Sequence, residues 1–254
     1  MTKNRFSYTE RPLGSLVTKR LSPPLQRKAR LAVPMALYML FYLTSFMVIE
    51  SWNRLHYTVI RTVVDDMIPF CELFIIPYLL WFLYVSVFTL CMLFTDEKSY
   101  HEICTNLAIG MTVFIIVSAI FPNILFLRPQ VMPRDNVLTR LCAALYAIDT
   151  PTNVTPSIHV YNSIAVMVAA VKTNARPFRS WYMKIAMALM GLSIILATMF
   201  IKQHSFSDVV IATGLSLCSY ILVYKLGFVF IPQEGIRFRN RKVRRRVRKG
   251  ALSA

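Results

Sequence analysis

Six stretches of the chain are apolar over long runs: residues 32–50, 73–95, 103–127, 157–172, 182–201 and 207–230. Crossing about 30 Å of hydrocarbon takes roughly 20 helical residues, and the fourth stretch is the shortest of the six. Inside lipid a single segment satisfies its own backbone only as a helix, so the blocks predict helices despite their many Val, Ile and Phe. The pattern therefore predicts an all-α, polytopic membrane protein built as one six-transmembrane-helix bundle over residues 31–232. No polar stretch is long enough to link two domains. A weaker signal lies between the third and fourth blocks. Val137, Leu138, Leu141, Cys142, Leu145 and Ile148 recur at helical spacing, which predicts a short helix over 136–148 lying at the interface. Asp149 to Pro156, dense in turn formers, reads as a loop.

Composition sharpens this picture. Hydrophobic residues make up 56% of the 254, too many for a soluble domain of that length. The net charge of +17 sits mostly at the ends: eight Lys and Arg in residues 1–30 and nine between Arg237 and Lys249, out of 29. Basic residues flanking the first and last spans are expected on cytoplasmic ends, where anionic headgroups attract them at about 1 kcal/mol each. The 1–30 segment and the 233–254 tail thus read as cytoplasmic arms that touch membrane lipids, with no nucleic acid as partner. An even number of spans agrees with two cytoplasmic termini, and no cleavable leader is expected. Followed through six spans, 51–72, 128–156 and 202–207 fall outside. The acid-free 172–180 loop, with Lys172, Arg176 and Arg179, falls inside. The five cysteines are scattered without a CxxC pair and read as small apolar residues rather than a disulfide or metal framework.

The candidate chemistry collects on the outer side. Thr155-Pro156-Ser157 predicts the start of the fourth helix, with Thr155 as the cap and Pro156 in the first turn. Free amides at such an end attract phosphate, and Ser157 adds a hydroxyl beside His159. His204 and Asp208, four apart, share one face if helical. A carboxylate on one ring nitrogen leaves the other free to attack. Arg128 closes the third block and offers a guanidinium for two phosphate oxygens. Lys202 and Arg134 are further cations, while His56 and His101 lack an orienting acid at helical spacing. The ordinary readings are a capped helix, a snorkelling arginine and a histidine–aspartate pair at a helix start. Two histidines and an aspartate also suit zinc, although the expected chemistry needs no metal and no cofactor.

Arg128-Pro129, Pro156-Ser157-Ile158-His159 and His204-x3-Asp208, in this order and at membrane edges, resemble the type 2 phosphatidic acid phosphatase superfamily, over about residues 70–230. Its pattern is Lys-x6-Arg-Pro, Pro-Ser-x-His and Ser-Arg-x5-His-x3-Asp. Phe121 stands here at the position of its lysine, and Ala197-Thr198 at that of its Ser-Arg. The resemblance implies a six-span phosphatase bundle acting on a phosphomonoester or diphosphate lipid through a phosphohistidine. His204 would be nucleophile, Asp208 its orienting acid and His159 the general acid and base. Arg128, Ser157 and Lys202 would bind phosphate. Alternatives are a headgroup phosphotransferase of the sphingomyelin-synthase type, which the same superfamily contains, and a non-enzymatic membrane protein with a relic motif.

Overall fold

The structure, a computed structural model, describes residues 23–52 and 56–230. Most of residues 1–30 and all of the 233–254 tail, expected to be cytoplasmic arms, lie outside the described residues. The elements in chain order are α1 (Pro23–Glu50), β1 (Thr58–Val59), α2 (Val63–Met67), α3 (Ile75–Thr95), α4 (Glu97–Ile120), β2 (Asn123–Ile124), α5 (Val137–Ile148), α6 (Ile158–Lys172), α7 (Trp181–Phe200) and α8 (Phe206–Tyr220). Single 3-10 turns at Glu72–Phe74 and Arg176–Phe178 precede α3 and α7, and a π turn at Ile221–Lys225 extends α8.

Among the described residues, five helical segments are long and apolar enough to cross a membrane: Leu25–Glu50, Glu72–Thr95, Glu97–Ile120, Trp181–Phe200 and Phe206–Lys225. Their outward faces are apolar, with Leu40 63%, Phe82 66%, Leu189 61% and Leu217 61% exposed. Water does not tolerate such a surface over a whole bundle, whereas lipid does. The remaining expected span, α6, is 15 residues long, short of the roughly 20 a crossing takes. It is instead the most enclosed helix, packed against α3, α4, α7 and α8.

Two devices hold α6 in place. Gly110 of α4 lets the helices approach so closely that a Cβ there would lie 2.0 Å from Tyr161 Cε1. The Tyr161 hydroxyl, itself buried, meets Asn106 Oδ1 and Ser219 Oγ, both at 2.7 Å, tying α4, α6 and α8 together at one polar point. At the other end of α6, Thr173 Oγ1 donates to Asp96 (2.9 Å), the residue that caps α4 through Ser99 N.

The third apolar block does not stay helical to Leu127. α4 stops at Ile120 because Pro122 cannot continue the backbone ladder and forces Phe121 out of the helical region (φ −130°, ψ 76°). The chain then runs as β2 beside β1, in parallel register Thr58↔Asn123 and Val59↔Ile124, with Thr152 bridged to Ile124. α1 starts nearly ten residues before its apolar block, at Pro23, where Arg27 (2.7 Å) and Lys28 (2.9 Å) pair with Glu97 of α4. The short helix expected over 136–148 is present as α5, docked by Glu72, which accepts from Arg134 and from Asn136 Nδ2. Of the five free cysteines, Cys104 and Cys142 are buried, as expected of small apolar residues, but Cys218 is exposed.

Candidate functional site

His204 stands on the tight turn between α7 and α8. The turn is closed by the Thr198 carbonyl, which accepts from both Gln203 N (2.9 Å) and His204 N (3.0 Å). Lys202 sits in the left-handed region at φ 57°, uncommon for a residue with a side chain. Ser205 caps α8, and the carboxylate of Asp208 reaches back to Ser205 N (2.9 Å). That reciprocal cap, rather than a shared helical face, brings Asp208 Oδ2 to 3.6 Å from His204 Nδ1, since His204 precedes the helix. Asp208 is fully buried, and its other oxygen accepts from Thr155 Oγ1. The threonine expected to cap α6 therefore holds the aspartate, and the cap of α6 is Ser157, whose Oγ accepts from Val160 N at 3.4 Å.

Asn123, fully buried in β2, fixes the segment carrying Thr155. Its Oδ1 accepts from Val154 N (2.7 Å) and Thr155 N (3.1 Å). His159, in the first turn of α6, lies against the ring of Tyr78 (4.6 Å between centroids) and that of Trp81 (4.2 Å). Its Nδ1 comes to 3.4 Å from His204 Nε2. The chain Thr155–Asp208–His204–His159 thus joins α6, α8 and the loop before α6 in one line of side chains.

The cations are placed differently from the sequence expectation. Arg128 does not end α4 but lies eight residues beyond it. Its NH1 donates to the carbonyls of Tyr146 (3.3 Å) and Asp149 (2.8 Å), and its NH2 to the Thr150 carbonyl (3.1 Å) and to Gln203 Oε1. Both terminal nitrogens are thereby committed, and the guanidinium also lies 4.6 Å over the Tyr146 ring. Lys202 Nζ donates to the carbonyls of Asp65 (2.8 Å) and Ile68 (2.5 Å). Burial lowers its pKa against the pull of Asp65 and Asp66. Arg134 is paired with Glu72 at 2.8 Å. His101 is buried within α4, and His56 lies before β1.

Both histidines open onto one cavity of about 580 Å³. Asp149, Asn153, Asn162 and Gln203 make its polar end, and Met35, Met39, Phe82, Val85 and Phe114 line the apolar remainder between α1, α3 and α4. Among the described residues, its wall includes His159 and His204 but not Arg128, Ser157 or Lys202. Burial raises the pKa of Asp149, against the attraction of His204 and Arg128. No three His, Cys, Asp or Glu side chains among the described residues converge as metal ligands.

Three residues here had no role in the sequence reading. Asp65 of α2 accepts Ser205 Oγ (2.6 Å) and Phe206 N (2.7 Å), clasping the turn on the far side of His204. Burial opposes its ionisation. The hydrogen bonds from Ser205, Phe206 and Thr62 outweigh that and hold its carboxyl below the usual range. Asn123 and Gln203 are the others. A buried acid in the polar 51–72 connection and an amide next to His204 were signals, but ones that named no partner. Comparison with protein-family models, with curated proteins and with solved structures found no match in any of the three.

Proposed function

We propose that this chain is an integral-membrane lipid phosphatase of the type 2 phosphatidic acid phosphatase kind, with α6 as a short sixth span and both termini cytoplasmic. The carrying observation is the line of Asp208, His204 and His159 opening at its imidazole end onto an apolar cavity. A carboxylate 3.6 Å from His204 Nδ1 favours the tautomer with its proton there, leaving a lone pair on Nε2 on the side of His159. In this reading Nε2 attacks phosphorus, a P–N bond forms and the P–O bond to the lipid breaks. The departing alkoxide takes a proton from His159 Nδ1, the atom nearest the nucleophile. Water then attacks phosphorus, His159 takes the proton back, and the P–N electron pair returns to His204. The stack on Tyr78 and the tilted contact with Trp81 keep the His159 ring in place through both steps.

The cavity supports a lipid substrate because its apolar length continues from the histidines between helices whose outer faces are themselves apolar. The test is phosphate release from phosphatidate or undecaprenyl diphosphate by the full chain in detergent. His204→Ala is expected to abolish it, and equal activity in variant and parent refutes the reading.

One observation favours a second outcome for the same intermediate. The committed terminal nitrogens of Arg128 and the Lys202 ammonium leave the cavity poor in free cations, which suits a singly charged phosphodiester better than a dianion. The phosphoryl-bearing group would then pass to a lipid hydroxyl. A donor lipid labelled in its headgroup separates the two, since hydrolysis releases a water-soluble phosphate and transfer yields a new labelled lipid.

A further inference from the structure

Gln203, the residue before His204, is 2% exposed, and its backbone is fixed by the Thr198 carbonyl. Its amide has a defined orientation. Arginine carries donors only, so the atom facing Arg128 NH2 is the oxygen and the NH2 group points away from it. That nitrogen has no partner among the described residues, although Gln203 lines the cavity beside both histidines. A buried amide left without an acceptor costs about 1–3 kcal/mol. Arg128 aims it while also holding the carbonyls of Tyr146, Asp149 and Thr150, and an acceptor arriving at the amide nitrogen would remove that cost. The groups that reach the polar end of the cavity include Asp149 and Asn153, but the two terminal nitrogens of Arg128 are already taken by carbonyls and by Gln203 itself.

We propose that the Gln203 amide nitrogen is a phosphate contact, donating to a non-bridging oxygen of the substrate at His204, and that Arg128 is a positioning residue acting through it. The inference rests on the phosphatase reading of the site and assigns it a neutral donor in place of a guanidinium clamp. Arg128 orients the amide and polarises it from behind. The ligand class is an oxyanion of a phosphate ester, held by a hydrogen bond that a carboxylate at this position cannot make.

The experiment uses the purified full chain in detergent with orthovanadate alone as the probe, its binding read directly by titration and by protection against thermal unfolding. Gln203→Glu keeps the shape and the Arg128 partner but replaces the donor by a negative acceptor. Gln203→Met removes donor and acceptor together. Both are expected to bind vanadate at least tenfold more weakly, the scale of one hydrogen bond to a charged group, with the larger loss in the glutamate variant. Arg128→Ala combined with Gln203→Met is expected to lose no more than the worse single change, because the two act in series. Unchanged vanadate affinity in Gln203→Glu, with the parent binding and turning over, overturns the role of Gln203 and leaves the phosphatase reading standing. Additive losses overturn the role assigned to Arg128. A parent that neither binds vanadate nor releases phosphate overturns the phosphatase reading, and the contact with it.

Discussion

Asp65 lies 140 positions before Ser205, and its carboxylate accepts the Ser205 hydroxyl at 2.6 Å. The same side chain takes Phe206 N, and the Asp65 carbonyl takes Lys202 Nζ, so one residue of a five-residue helix grips the His204 turn on both sides. Asp65→Ala is expected to leave the Phe206 amide unpaired and the Ser205 hydroxyl with Ser207 as its remaining partner, costing about 1–3 kcal/mol of stability. Phosphate release should fall with it, through kcat rather than KM, because Asp65 does not line the cavity. Thermal unfolding and steady-state kinetics in detergent check both parts.

The same carboxylate sets an acid limit. Its pKa is lowered in the folded protein, so its contribution to stability is complete above the ordinary carboxyl range and is lost as pH falls through the lowered value. Asp65→Asn removes that titration. Parent and variant are expected to converge in unfolding temperature as pH drops below about 4, the ordinary carboxyl range, and to differ most at neutral pH. A constant difference across the whole range would show that the carboxylate's charge is not involved.

Thr155→Val deletes the hydroxyl that holds one oxygen of Asp208 while keeping the shape of the side chain. The released carboxylate is expected to turn off His204, lowering kcat on the order of tenfold or more, as loss of an orienting group does in histidine-based sites. The acidic limb of the pH–rate profile should shift as well, a change that mere loosening of the loop would not bring.

Filling the cavity separates its two ends. Val85→Trp narrows the apolar part, on α3 one turn beyond Trp81 and on a different element from the residues that hold the His204 turn. Hydrolysis of a long-chain phosphatidate should suffer several-fold or more in KM, while a short-chain, water-soluble phosphate ester is handled as by the parent. Equal effects on both substrates would mean that the tail does not occupy this space.

Gly110→Ala is expected to destabilise the bundle by about 1–3 kcal/mol, the range for overpacking a close contact. The added methyl must displace the Tyr161 ring, and with it the hydroxyl joining Asn106 and Ser219. Gly214, with nothing within 4 Å of a Cβ, should accept alanine without loss. Unfolding temperatures of the two variants give the comparison.

The helices were legible in the sequence because lipid allows few alternatives: an apolar run of about 20 residues has one way to satisfy its backbone. α5 was legible too, from the spacing of Val137, Leu141, Cys142 and Leu145. The ends were not. Leu125 and Phe126 prolong the hydrophobic run beyond α4, yet Pro122 had already turned the chain into β2. At the candidate site, His204 and Asp208 were visible as a pair, but the geometry that joins them is a helix cap, which spacing alone represents as a helical face. The destinations of Arg128 and Lys202 could not be read at all. Each is held by carbonyls, which every residue carries and which leave no mark in the sequence. Asp65 and Gln203 escaped for the converse reason, since their meaning depends on partners tens to more than a hundred positions away.

The grip of α2 on the His204 turn makes the connection after α1 and the turn after α7 a single mechanical part. Exchanging residues 56–70 for a connector of equal length from another membrane protein would change no residue of the cavity wall and still let the His204 imidazole drift. In laboratory chimaeras the two connections have to travel together.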